Sequence, residues 1–124
     1  MKKLFLGILL VFIFMEFTLA KQNSQSSNNG KVVFIGNSIT EQWQKLEPSF
    51  FKNKDYINKG ISGQTSPQIS NRFKKDVIDL KPGLVIILAG TNDIAQNSGP
   101  ITIKEISENI FAMAEQGKAN GIKI

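Results

Sequence analysis

Residues 34–43, FIGNSITEQW, decide how the chain is read. Val32-Val33-Phe34-Ile35 is a continuous apolar run, β-branched and aromatic, as expected of a strand buried on both faces. Gly36-Asn37-Ser38 cuts the run off, and helix-like sequence resumes at Ile39. Ser38 therefore stands at the carboxyl end of a predicted strand. A serine there has two readings: it caps the helix that follows, or it is a nucleophile. The choice is sharpened by a composition without histidine, because a serine nucleophile most often depends on a histidine base.

The alternation continues along the chain. A short helix is predicted from about Ile39 to Glu47, stopping before Pro48. A weaker strand at Asp55-Tyr56-Ile57-Asn58 leads into Lys59-Gly60-Ile61-Ser62-Gly63-Gln64-Thr65. Thr65 or Ser66 caps a helix with Pro67 in its first turn, and Ile69, Phe73, Val77 and Leu80 share one face until Lys81-Pro82-Gly83 ends it. Leu84 to Ala89 is apolar without alternation and reads as a central parallel strand. After Gly90-Thr91-Asn92-Asp93 and a loop through Gly99-Pro100, Thr102 and Glu105 form a capping box. The helix they open is expected to bury Ile103, Ile106, Ile110 and Ala114. Asn120-Gly121 ends it, and Ile122-Lys123-Ile124 reads as the opening of another strand. This βα alternation predicts an open parallel sheet with helices on both faces, unfinished at its C-terminal side.

The N-terminal residues read differently. Lys2 and Lys3, an apolar run from Leu4 to Met15 and Thr18-Leu19-Ala20 have the layout of a secretory signal over residues 1–20. Glu16 interrupts the run well short of the roughly 20 residues of a spanning helix, which leaves no stable membrane anchor once the signal is removed. Residues 21–30, KQNSQSSNNG, read as a flexible polar spacer without apolar period, and residues 31–124 as the N-terminal portion of a single, truncated domain. With no cysteine, neither a lipid attachment nor a disulfide is available. The net charge of +5 is spread out, and its one dense cluster, Arg72-Phe73-Lys74-Lys75, reads as a solvated helix face and not as a nucleic-acid site.

In an open parallel sheet the carboxyl ends of the strands lie on one edge, where ligands bind. Gly36-Asn37-Ser38, Gly60-Ile61-Ser62-Gly63 and Gly90-Thr91-Asn92-Asp93 all follow predicted strands and so share that edge. Each alone is an ordinary turn. Together they suit acyl transfer, with a serine hydroxyl to attack an ester carbonyl and fixed donors for the oxygen that gains charge. The backbone N–H groups of Ser38 and Gly63 and the side-chain amide of Asn92 are such donors.

In order and spacing, Gly36-Asn37-Ser38-Ile39, the Gly63 turn in GISGQTS, and Gly90-Thr91-Asn92-Asp93 resemble the first three sequence blocks of the SGNH/GDSL hydrolases, in particular the secreted bacterial acyl- and acetylesterase-like branch. The resemblance implies a flavodoxin-like α/β/α sandwich and ester hydrolysis without metal or other cofactor. It makes Ser38 the nucleophile and first oxyanion donor, with Gly63 and Asn92 completing the oxyanion hole. Asn37, Asp93 and Trp43 are candidate substrate contacts, Trp43 at the crevice mouth or packed against the sheet. Two departures stand out. Asn37 replaces the family's usual Asp, and the Asp-x-x-His block that carries the base is missing from this chain. The expected substrate is a short acyl ester, small or carried on carbohydrate. The rival readings are a non-catalytic carbohydrate- or acyl-binding module, an inactive truncated relic, and a nucleotide binder. No G-x-G-x-x-G or P-loop pattern supports the last.

Overall fold

The structure is a computed structural model that describes residues 30–124. The expected signal peptide and all of the spacer but Gly30 lie outside the described residues. Three strands, β1 (Val32–Gly36), β2 (Tyr56–Gly60) and β3 (Leu84–Leu88), form a parallel sheet in the order β2-β1-β3. They alternate with helices α1 (Ser38–Leu46), α2 (Pro48–Phe51), α3 (Ser66–Asp76), α4 (Thr91–Ile94) and α5 (Ile103–Ala119). A parallel bridge from Leu84 to Lys123 places residues after α5 alongside β3. The result is the three-layer α/β/α arrangement that the alternation predicts.

The pleat of β1 divides the core in two. Val33 and Ile35 point to one face, where they meet Ile69, Phe73 and Val77 of the α3 segment, Val85 of β3, Met113 of α5 and Ile122. Phe34 points to the other face, into a cluster with Trp43 of α1, Phe50 and Phe51 of α2, and Tyr56 of β2. The edge-on contacts in this cluster add about 1 kcal/mol per pair beyond the area they bury. α2 exists because Pro48 supplies a preset first helical residue and Phe51 goes inward, 7% exposed.

Several elements depart from expectation. α3 ends at Asp76, a short 3-10 turn over Ile78–Leu80 follows, and Lys81 takes left-handed backbone (φ 49°) before Pro82. Leu80 therefore belongs to the turn and not to the helix face. α5 is capped by Thr102 and Glu105 as the sequence indicates, yet Ile103 is 69% exposed because it precedes the packing stripe, which Ile106, Met113 and Gly117 carry. β3 is not buried on both faces. Ile86 pairs with Phe34 in register and shares its face, but α1 packs over β1 and β2, so Ile86 stays 42% exposed. The basic cluster is also not a single solvated face. Lys74 and Lys75 are exposed, Phe73 is fully buried, and the Arg72 side chain is only 12% exposed.

Close packing at the upper end of the sheet requires glycine. A methyl group at Gly60 would overlap the backbone of Thr40 and Glu41, whereas one at Gly117 would overlap only the Cδ1 end of the Ile124 side chain and touch Phe73 at ordinary contact distance. Gly60→Ala is expected to cost about 3 kcal/mol, because backbone cannot give way there. Gly117→Ala should stay within about 1 kcal/mol of the parent, since better helix propensity offsets a shift of Ile124. Urea unfolding of both variants checks this, and equal losses would contradict the packing described.

Candidate active site

Each strand ends in a turn whose polar groups are tied to a neighbouring turn. Gly36 closes β1, and a side chain there would overlap Thr40 and the Leu88 carbonyl. Asn37 follows with extended backbone, and its Oδ1 accepts from the Ile39 N–H at 3.0 Å. The helix cap is therefore Asn37. Ser38 is the first helical residue, partly exposed, and no side-chain hydrogen bond joins it to another described residue.

The loop after β2 is held to the same corner. Ile61 N–H donates to the Gly36 carbonyl at 3.0 Å, and Ser62 donates its N–H (2.7 Å) and hydroxyl (2.5 Å) to Glu41 Oε2 on α1. Gly63 takes a positive φ of 79° with no atom within 4 Å of where a side chain would begin, so its glycine serves the backbone turn and not a close contact. After β3, Gly90 turns at φ 106° into α4. Asn92 Nδ2 then donates to the Gln64 carbonyl at 2.9 Å, and Asn37 Nδ2 donates to Thr91 Oγ1 at 2.6 Å. All three turns thus meet at one corner, with Ser38, Gly63 and Asn92 each on a different one.

The other candidates hold positions of a different kind. Asn37 is 1% exposed and has both side-chain groups committed, to Ile39 and Thr91. Asp93 is also 1% exposed, and its carboxylate accepts from the Ser66 N–H at 2.8 Å and the Ser66 hydroxyl at 2.7 Å. That puts a negative charge at the N-terminus of α3, where unpaired N–H groups favour it. Both residues are thus buried and bonded within the protein, and Asp93 also borders a pocket lined by Thr65, Ser98 and Glu105. Trp43 stacks on Phe50 with ring centroids 4.8 Å apart, and it also walls an apolar groove of about 570 Å³ along α1 that Ser38, Ile39 and Leu46 share.

Sequence reasoning passed over Glu41, Gln64 and Arg72. Glu41 looks like half of an ordinary i,i+4 pair with Lys45, a contact it does make at 3.4 Å. Its bond to Ser62 joins residues 21 apart, which no local pattern reveals.

The chain is similar to known proteins along most of its described length. Residues 34–124 match the GDSL-like Lipase/Acylhydrolase family model. The chain belongs to that family. Among solved structures, an acylhydrolase from Bacteroides fragilis is 48% identical with a TM-score of 0.75, covering 82% of this chain and 51% of its own. A GDSL-like lipase from Bacteroides thetaiotaomicron is 49% identical with a TM-score of 0.74, covering 84% of this chain and 53% of its own. Esterase TesA of Pseudomonas aeruginosa is 28% identical over 94 residues, 73% of this chain and 45% of that protein. The chain thus spans about half the length of these relatives. The family match runs through all three turns.

Two expected outcomes follow from the geometry. Asp93→Ala leaves the Ser66 N–H and hydroxyl without their acceptor, and should lower stability by about 3 kcal/mol, read as a reduced urea midpoint. The Ser62 hydroxyl and N–H, with Lys45 adding less, hold the Glu41 carboxyl below the usual glutamate range. Since the folded value is the lower one, this clasp contributes fully at neutral pH and is lost as pH falls through that lowered value. The Ser62 amide shift should therefore titrate below the ordinary glutamate range, and Glu41→Gln should flatten the curve.

Proposed function

We propose that this chain is the serine-bearing part of a GDSL-type esterase that hydrolyses short acyl esters. Ser38 is the nucleophile. Its Oγ attacks the ester carbonyl, its proton passes to a base, and the tetrahedral oxyanion is held by the N–H groups of Ser38 and Gly63 and by Asn92 Nδ2. Asn92 suits this role because its amide has two hydrogens, and the Gln64 carbonyl engages one of them. The observation that carries the reading is the contrast at the corner. Asn37, Ser62, Asn92 and Asp93 all have partners, while the Ser38 hydroxyl bonds to no other described residue.

The chain contains no histidine, and the resemblance to the SGNH/GDSL hydrolases assigns the base to an Asp-x-x-His block that these 124 residues lack. TesA, named an esterase, supports the reaction type. Carbohydrate acetyl esters are the first substrates to test, a choice that rests on the likeness of the three sequence blocks to acetylesterases. Export through the N-terminal signal, with no nucleic-acid partner, completes the reading. The missing histidine also favours a second one, in which the crevice binds acylated sugars without hydrolysing them.

On the 124-residue chain, 4-nitrophenyl acetate should be hydrolysed little faster than in buffer. In a form extended by an Asp-x-x-His block, Ser38→Ala should reduce kcat by about 10⁴-fold or more, and Asn92→Ala by about 10²-fold. A folded, active extended form whose turnover survives Ser38→Ala would falsify the esterase reading. Binding of an acetylated sugar that persists in Ser38→Ala without product over hours would establish the second.

A further inference from the structure

Arg72 lies one turn from the end of α3, in a sequence that looks like solvated basic surface, yet its guanidinium is turned into the molecule. It makes three bonds in three directions. Nη2 donates to the Gly36 carbonyl at 3.0 Å, Nε to Gln64 Oε1 at 2.6 Å, and Nη1 to Asp76 Oδ2 at 2.9 Å. Gly36 lies two residues before Ser38, and Gln64 directly follows Gly63. The main-chain carbonyl of Gln64 is also the acceptor for Asn92 Nδ2. One side chain thus bonds to the turns of β1 and β2 and reaches that of β3 through a single residue.

We propose that Arg72 is the positioning residue of this corner, fixing through Gly36 and Gln64 the separation of the backbone N–H groups of Ser38 and Gly63 and the aim of the Asn92 amide. Its catalytic meaning rests on the esterase reading. Its physical content does not. A planar fork with five donors is suited to this task, because it can hold two acceptors at a set distance while a third, Asp76, orients the fork itself. Asp76 is only 15% exposed and is also approached by Lys59 at 3.6 Å, so its charge is anchored on two sides. Lysine at position 72 would keep a positive charge near Asp76. Its single compact head could not reach Gly36 and Gln64 together.

That difference separates positioning from bulk stability. The test follows backbone and side-chain amide signals by ¹⁵N NMR, with hydrogen exchange, in the 124-residue chain and in its Arg72→Lys, Arg72→Met and Lys74→Met variants. Lys74 is exposed and pairs with Asp79, so its variant serves as a control on the same helix. Arg72→Lys is expected to move the Gly63, Gln64 and Asn92 side-chain signals and to speed exchange of the Ile61 amide about tenfold or more, since that amide shares the Gly36 acceptor. Val33 and Val85 amides in the sheet should keep their protection, and Lys74→Met should change none of these signals. Arg72→Met should show the same pattern where it folds. Where it does not, Arg72→Lys decides alone. Wild-type Gly63, Gln64 and Asn92 signals in Arg72→Lys would overturn the proposal, because charge alone would then suffice. Equal loss of protection across the whole sheet would overturn it as well, by reducing Arg72 to a general stabiliser. Neither measurement needs turnover, so the brace can fail while the esterase reading stands, and an inactive protein leaves the brace intact.

Discussion

Everything at the upper edge of this molecule depends on three parallel strands ending level. Gly36 is in register with both Gly60 and Leu88, so the chain leaves the sheet three times at one height. Hydrogen bonding on both sides fixes β1 between its neighbours, and the absence of side chains at Gly36 and Gly60 lets α1 and the Leu88 carbonyl come close above them. A sheet whose strands ended at staggered heights could not bring these turns together. The later contacts, Asn37 to Thr91, Ile61 to Gly36 and Asn92 to Gln64, refine a meeting that the register has already arranged.

The corner is built mainly from neutral dipoles. Backbone N–H and C=O groups, amides and hydroxyls make most of the bonds between turns, and no buried side-chain polar atom among the described residues lacks a partner. Charge enters at the margins, in Asp93 below α3, Glu41 beside Ser62 and Arg72 behind the loops. Such an arrangement holds fixed dipoles near Ser38 without leaving buried polar side chains among the described residues unpaired.

The sheet, its parallel sense and the shared edge were legible in the sequence, because continuous apolar runs and glycine turns are local signals. Val32 to Gly36 and Leu84 to Leu88 fall within about a residue of their expected limits. What the sequence hid was long-range or one-sided. Asn37 and not Ser38 caps α1, a matter of which side chain folds back, which residue preference alone does not decide. Ile86 looked as buried as Val85, since a run of apolar residues does not say which face a helix will cover. Arg72 looked like its lysine neighbours because two of its three acceptors, Gln64 and Gly36, lie 8 and 36 residues away. Only the fold brings them within reach.

The uneven covering of the sheet has a consequence for how the chain lives in a cell. One face is sealed by α3 and α5, while on the other Ile39, Trp43 and Leu46 along α1, and Ile86 on β3, remain open to water. Such strips are what chaperones grip and what nucleates clumping at high concentration. Ser38 borders this strip, since it shares the groove along α1 with Ile39, Trp43 and Leu46. Helix α1 therefore carries two demands at once, a first turn tied by Asn37 to the neighbouring turn after β3 and an apolar flank that must be kept from contact with other chains.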